Sequence, residues 1–208
     1  MKAWQSALHT LHFLYTIRHD GIGYSSDEPE EIVCYYDSGH MQDRHDYRSQ
    51  YGYVITMFGG PILWQSKKHQ HVGESAAEDE YMALNHAHKQ VLWLRNLVRE
   101  IGWTHLVEKP TVMLGDNTQA GQWAREKMIT NGNRFIERQY FKVAEAVDRG
   151  DVEPRWIPTD LNLADVLTKP VSRQVMEKIG PMLNGKKPLP DMPPKANALK
   201  SRTPKLQG

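Results

Sequence analysis

Between Ser75 and Gly102 the chain reads as one long helix with a single inward face, and this stretch limits the fold more than any other. Ser75-Ala76-Ala77-Glu78 has the form of a capping box, in which serine and glutamate side chains satisfy free amides of the first turn. Counting from Glu80, helical spacing selects Leu84, Ala87, Val91, Leu94, Val98 and Ile101 as one continuous buried stripe. Such a helix has to lie on a broad apolar surface, and the residues before it supply one.

Ile32 to Tyr36 is a β-type run that ends at Asp37. Tyr51 to Phe58 and Ile62 to Ser66 are two more, joined by a turn at Gly59-Gly60-Pro61, which predicts a hairpin and three antiparallel strands over 32–66. After the long helix, Thr111 to Gly115 is a short strand ending at Asp116, and Asn117 to Glu126 is helical. A further helix is predicted over Ile136 to Val147, a strand over Val152 to Ile157, and a last helix from Asn162 to Ile179. The order βββ-α-β-α-α-β-α specifies an α/β fold, a mixed sheet with helices on its faces. Ahead of it all, Leu8, Leu11, Leu14 and Ile17 predict one short amphipathic helix with no earlier partner.

The 208 residues allow one domain with appendages. Three regions are expected: 1–22 as the stub of an upstream unit, 30–180 as the globular domain, and 181–208 as a basic, proline-rich disordered tail. Within that tail Lys186, Lys187, Lys195, Lys200, Arg202 and Lys205 stand against Asp191 alone, a balance of +5 that leaves −4 for the rest of a chain of net charge +1. A slightly acidic body does not grip a polyanion by bulk charge, so nucleic-acid contact falls to local patches, bound cations or the tail. No apolar run approaches the ~20 residues that span a bilayer, no signal peptide is visible, and no membrane partner is expected. Cys34, the one cysteine, excludes an internal disulfide and fits a reducing compartment.

Four carboxylates stand where charge is awkward. Asp37 and Asp116 directly follow apolar strands; if those strands are parallel neighbours, both acids emerge at a topological switch point, although a turn-initiating aspartate reads the same way. Glu80 heads the buried stripe, whereas Glu78 belongs to the capping box; the plainer reading of Glu80 is favourable charge at a helix N-terminus. Asp165 in Asn162-Leu163-Ala164-Asp165 fits the third position of a capped helix equally well. Buried carboxylates without a matching set of buried cations are costly unless they bind metal, and four together point to a divalent ion.

Several blocks run in order: Tyr36-Asp37, Arg48-Ser49 with Gly52-Tyr53, Trp64-Gln65-Ser66-Lys67-Lys68, Glu78 to Leu84, Leu92 to Arg95, Gly115-Asp116-Asn117, and Leu163 to Pro170. Together they resemble the ribonuclease H domain that ends the polyprotein of copia-type LTR retrotransposons, over residues 8–178. The Leu-Ala-Asp-x-x-Thr-Lys-Pro and Trp-x-Ser-Lys-Lys segments are the most distinctive. The resemblance implies a ribonuclease H-like fold with a five-stranded mixed sheet, three antiparallel strands then two parallel, flanked by helices. It implies that Asp37, Glu80, Asp116 and Asp165 are catalytic, metal-binding carboxylates holding two Mg²⁺ or Mn²⁺ ions, hard cations suited to oxygen ligands, about 3.5–4 Å apart. The implied reaction is hydrolysis of the RNA strand of an RNA–DNA hybrid, chosen by 2′-hydroxyls and duplex shape. The implied partner is the reverse transcriptase region of the same polyprotein, whose end would occupy residues 1–22. The setting would be intracellular, cytoplasmic or nuclear, including virus-like particles.

The chain departs from that pattern twice. Gly39 stands where the family usually has a second acid, and Gly132-Asn133-Arg134-Phe135 replaces its common Arg-Thr-Lys-His. The lost histidine keeps a second reading open, a catalytically inactive remnant that binds nucleic acid or a polymerase without cutting. An integrase or transposase on the same fold fits less well, because there the glutamate comes last. Arg48, Lys67, Lys68 and Asn117 are candidate substrate contacts, against the plain reading of solvated loop side chains. His69 with His71, and His86 with His88, have metal-like spacing but no cysteine or third ligand nearby, which disfavours zinc.

Overall fold

The computed structural model describes residues 2–40, 46–70, 72–126 and 137–194. His71, the segment Gly132 to Phe135 and the tail beyond Pro194 fall outside these. Five strands form one sheet: β1 (Val33–Gly39), β2 (Gln50–Met57), β3 (Gly60–Lys68), β4 (Thr111–Gly115) and β5 (Val152–Trp156). Their order is β3-β2-β1-β4-β5. The pairs β1–β2 and β2–β3 are antiparallel, while β1–β4 and β4–β5 are parallel. This is the expected five-stranded mixed sheet.

The hairpin turn differs in detail from expectation. Phe58 and Gly59 both have positive φ (52° and 75°), so they form the two-residue loop, and Gly60 and Pro61 already belong to β3. Two left-handed residues match the twist of the flanking strands.

Strand alternation divides the core. Cys34 and Tyr36 face one side with Tyr51, Tyr53 and Ile55, under α2 (Ala76–Glu100), α3 (Thr118–Glu126) and α4 (Glu137–Asp148). Val33 and Tyr35 face the other with Val112 and Leu114, under α5 (Asp165–Thr168) and α6 (Arg173–Leu183). A period of two makes each strand serve both layers.

The long helix α2 begins as its sequence specifies. Ser75 caps it by accepting from the Glu78 amide (3.2 Å), and Glu78 turns back to the Glu74 amide (2.8 Å). Leu84, Ala87, Val91, Leu94 and Val98 are buried, but Ile101 is 54% exposed. Ile101 is the C-cap, and Gly102, with φ of 88°, turns the chain away before the stripe can continue. Arg95 on the same helix is buried and donates to the carbonyls of Val107 and Lys109 and to Thr111 Oγ1, tying α2 to the start of β4.

Two expectations are corrected in the C-terminal part. The single helix over 162–179 is instead a 3-10 turn at Thr159–Leu161, the four-residue α5, and α6. Pro170 disfavours helical geometry at Lys169, which is extended (φ −144°, ψ 152°), so the helix has to restart at the Ser172 cap. The boundary expected at 181 also falls inside α6. Beyond that helix Leu189 and Met192 still pack on the second core cluster, and Arg155 donates to the Pro193 carbonyl.

At the other terminus the expected helix forms but starts earlier than its apolar spacing indicated, as α1 (Lys2–Thr16), with Trp4, Leu8, Leu11 and Leu14 exposed. The chain then comes in beside the end of α6. The Gly23 amide donates to the Asn184 carbonyl (2.9 Å), and Lys186 Nζ meets Asp20 Oδ1 at 2.5 Å. Gly185 (φ 66°) lies so close that a Cβ there would sit 2.1 Å from the Gly23 oxygen.

Candidate metal centre

Parallel register explains how two aspartates far apart in sequence meet. Tyr35 pairs with Leu114, so Asp37 and Asp116, each two residues further on, emerge side by side at the carboxyl ends of β1 and β4. Gly115 is required there: a Cβ would fall 2.3 Å from Cζ of Tyr36, whose ring crosses behind the site. Glu80 comes down from the second turn of α2 and accepts from the Ser38 amide (3.2 Å). Asp37, Glu80 and Asp116 each offer an oxygen, and these three oxygens lie within 4.8 Å of one another. No other group of three or more ligating side chains this close is found among the described residues.

The fourth acid stands beside that trio rather than within it. Asp165 opens α5, and its Oδ2 meets Lys169 Nζ at 2.9 Å. Thr168, one turn on from Asp165, donates to Asp37 Oδ2 and to the Asp165 carbonyl. Asn162 anchors the approach to α5: its Nδ2 donates to the Tyr36 carbonyl (2.9 Å) and its Oδ1 accepts from the Ala164 amide (3.1 Å). Gly52, directly across from Asp37 in the ladder, lets the helix come this close. A Cβ on Gly52 would lie 2.7 Å from Leu167 Cβ.

Asp116, less buried than the others, is steered by two further groups. Thr159 Oγ1 donates to its Oδ2 (2.7 Å), and Trp156 Nε1 donates to its carbonyl (2.9 Å).

Burial and mutual repulsion govern the electrostatics of these acids. Burial, followed by the charges of Asp37 and Asp116, pushes the Glu80 carboxyl well above the usual range. Burial lifts Asp165 to about 6; Lys169 pulls it back, and Asp37 and Asp116 add to the rise. Glu80 Oε2 and Asp165 Oδ1 are buried without a hydrogen-bond partner. Buried acceptor oxygens with raised proton affinity and hard-ligand chemistry fit a divalent cation, whose charge would offset their mutual repulsion.

The candidate substrate contacts are distributed around the sheet edge. Arg48 donates to Asp46 Oδ2 from Nε (2.7 Å) and Nη2 (2.5 Å), and Lys68 Nζ approaches the same oxygen at 3.3 Å. The Arg48 hydrogen bond holds Asp46 down at about 2. Arg48 and Lys68 line a groove of about 470 Å³ with Gln50 and the Thr168-Lys169-Pro170 segment, next to Asp165. Lys67 is exposed on the opposite face of β3. Asn117 Oδ1 accepts from the Gln119 and Ala120 amides (3.0 and 3.1 Å), capping α3. Among the described histidines, His86 stacks on Tyr51 (centroids 4.3 Å), on which His69 also packs, while His88 Nδ1 bonds the Asn85 carbonyl (2.7 Å), so His86 and His88 have different partners. Burial holds both down at about 4.

Sequence reasoning passed over Asn162, Thr159 and Thr168 as site residues. Thr168 and Lys169 carried a signal, since both belong to the Leu-Ala-Asp-x-x-Thr-Lys-Pro block; Thr159 carried none.

Among known proteins, the retrovirus-related Pol polyprotein from transposon TNT 1-94 of Nicotiana tabacum is 30% identical over 174 residues, 84% of this chain. The Pol polyprotein from transposon RE2 of Arabidopsis thaliana is 28% identical over 170 residues, 82% of the chain. The chain is a homologue of copia-type transposon Pol polyproteins. It spans only 13% and 12% of the length of these two relatives. Its fold is that of ribonuclease H, as in the solved structure of LC11-RNase H1 from compost, which superposes with a TM-score of 0.50 at 19% identity over 72% of this chain and 97% of that one. No family model matches the chain.

Proposed function

We propose that this chain is the ribonuclease H domain of a retrotransposon polyprotein, which hydrolyses the RNA strand of RNA–DNA hybrids during reverse transcription with divalent metal ions. The reverse transcriptase region of the same polyprotein is its natural partner. The observation that carries this reading is the convergence of Asp37, Glu80 and Asp116 within 4.8 Å at the carboxyl ends of parallel strands. The unpartnered Glu80 Oε2 leaves a position for a cation there.

Mg²⁺ or Mn²⁺, two ions held by these three acids and Asp165, would supply the positive charge that stabilises a phosphoryl transition state. The chain's own groups prepare the ligands. Thr168 aims Asp37, the Ser38 amide aims Glu80, and Thr159 aims Asp116. Lys169 keeps Asp165 in place. These outer contacts set ligand orientation, and removing them weakens metal affinity. Arg48 and Lys68 lie along the groove beside Asp165, where they would meet backbone phosphates; Lys67, on the other face of β3, and Asn117, which caps α3, stand outside that groove.

Purified protein given a labelled RNA–DNA hybrid with Mg²⁺ or Mn²⁺ should cut the RNA strand and spare single-stranded RNA, and Asp116→Asn should stop the cutting. Folded protein that cuts with neither ion would overturn the enzyme reading in favour of a binding remnant. No observation among the described residues favours that remnant.

A further inference from the structure

Asp79 precedes Glu80 on α2 yet faces a different set of partners. It is 2% exposed. Its Oδ2 accepts from Ser49 Oγ at 2.5 Å and lies 2.6 Å from Nδ1 of His40. The loop before α2 closes over the other oxygen so tightly that a Cβ on Gly73 would lie 2.1 Å from Oδ1.

A buried carboxylate used only to tie β1 to α2 is a poor stabiliser, because desolvation offsets most of the attraction. Holding an imidazole in one orientation is a better use of it. His40 lies one residue beyond β1 and three beyond Asp37, and its side chain is 32% exposed. With Nδ1 bonded to Asp79, the ring plane is set and Nε2 faces away from the carboxylate. The Ser38 amide, two residues before His40, donates to Glu80, the residue after Asp79, so both pairings join the same end of β1 to the first turns of α2.

We propose that His40 is a substrate-contacting residue whose imidazolium, giving Nδ1–H to Asp79, donates Nε2–H to a phosphate oxygen of the nucleic-acid strand lying across the carboxylate cluster, with Asp79 as its positioning residue. This rests on the nuclease reading above and adds a contact on the α2 side of the site, opposite the groove of Arg48 and Lys68.

The test compares wild type, His40→Phe, His40→Gln and Asp79→Asn in hybrid cleavage with Mg²⁺, and in metal-free hybrid binding by fluorescence anisotropy over a salt series. His40→Phe keeps an aromatic ring without a donor; it should raise KM about ten-fold, the scale of one charge-assisted hydrogen bond, with a smaller change in kcat. Its binding should also lose about one unit of salt slope, the mark of a phosphate contact. His40→Gln retains a donor and should recover part of the loss, and Asp79→Asn should fall between wild type and His40→Phe. If wild type cuts hybrid and His40→Phe matches it in KM and salt slope, the His40 proposal fails and the nuclease reading stands. A rise in KM that tracks a lowered melting temperature, with an unchanged salt slope, also refutes it. If folded wild type neither cuts nor binds hybrid, the nuclease reading fails and the His40 contact with it.

Discussion

Glu80 and Asp165 flank Asp37 from opposite faces of the sheet, and the two faces treat their charges differently. Asp165 opens a four-residue helix and carries its own cation four residues on, the half-buried Lys169. Glu80 descends from a long helix at the head of the apolar stripe from Leu84 to Val98, and the donor that reaches it is the Ser38 amide. The α5 flank is partly neutralised within the fold, whereas the α2 flank depends on a proton or an added ion. On the proposed function, the demand for a cation is concentrated on Glu80.

The largest expected effect follows from that asymmetry. Glu80→Gln should lower hybrid cleavage on the order of 10³-fold, since several kcal/mol of transition-state stabilisation depends on the ions. Without metal the same variant should melt no lower than wild type, because the carboxyl it replaces is already biased toward its neutral form. A metal-free melting temperature well below wild type would break the comparison.

Gly52→Ala probes the other flank. The added methyl meets Leu167 at 2.7 Å and should cost about 1–3 kcal/mol in denaturant unfolding by overpacking. Cleavage should fall more than stability does, because α5 carries both Asp165 and the Thr168 that aims Asp37. Lys169→Met should cost about 1 kcal/mol without metal, the scale of a pair with a partly exposed member, and less with Mg²⁺ present. An undiminished loss in Mg²⁺ would show that Lys169 serves packing rather than charge.

The smallest effect is a pH trend. Asp165 titrates near 6 in the fold against about 3.9 in an unfolded chain, so between these values the folded state holds the extra proton. Its contribution to stability is complete below pH 4 and is lost as pH rises through 6. The metal-free melting temperature of wild type should therefore fall more over that interval than that of Asp165→Asn, measured by calorimetry.

Much of this was legible in the sequence because it is periodic or local. The stripe from Leu84 to Val98 located the inward face of α2, the capping box separated Glu78 from Glu80, and the two strand ends located Asp37 and Asp116. The misreadings have physical causes as well. Ile101 continued the stripe on paper, but a C-cap followed by a left-handed glycine carries it into solvent. A helix over 162–179 looked continuous because Pro170 was treated as part of a motif rather than as a break. Thr159 and Asn162 escaped notice because their partners, Asp116 and the Tyr36 carbonyl, are distant in sequence and only sheet register brings them together. Arg95 escaped as well: its charge is absorbed by carbonyls, which leave no pattern in side-chain types.

The contact between Gly23 and the Asn184-Gly185 turn bears on mechanics. The segment leading in from α1 and the turn that ends α6 lie side by side, fastened by one backbone hydrogen bond and the Asp20–Lys186 ion pair. A pull on residues 2–19 would load this clasp before it reached β1, whereas a pull from beyond Pro194 would first have to strip Leu189, Met192 and Pro193 from the second core layer.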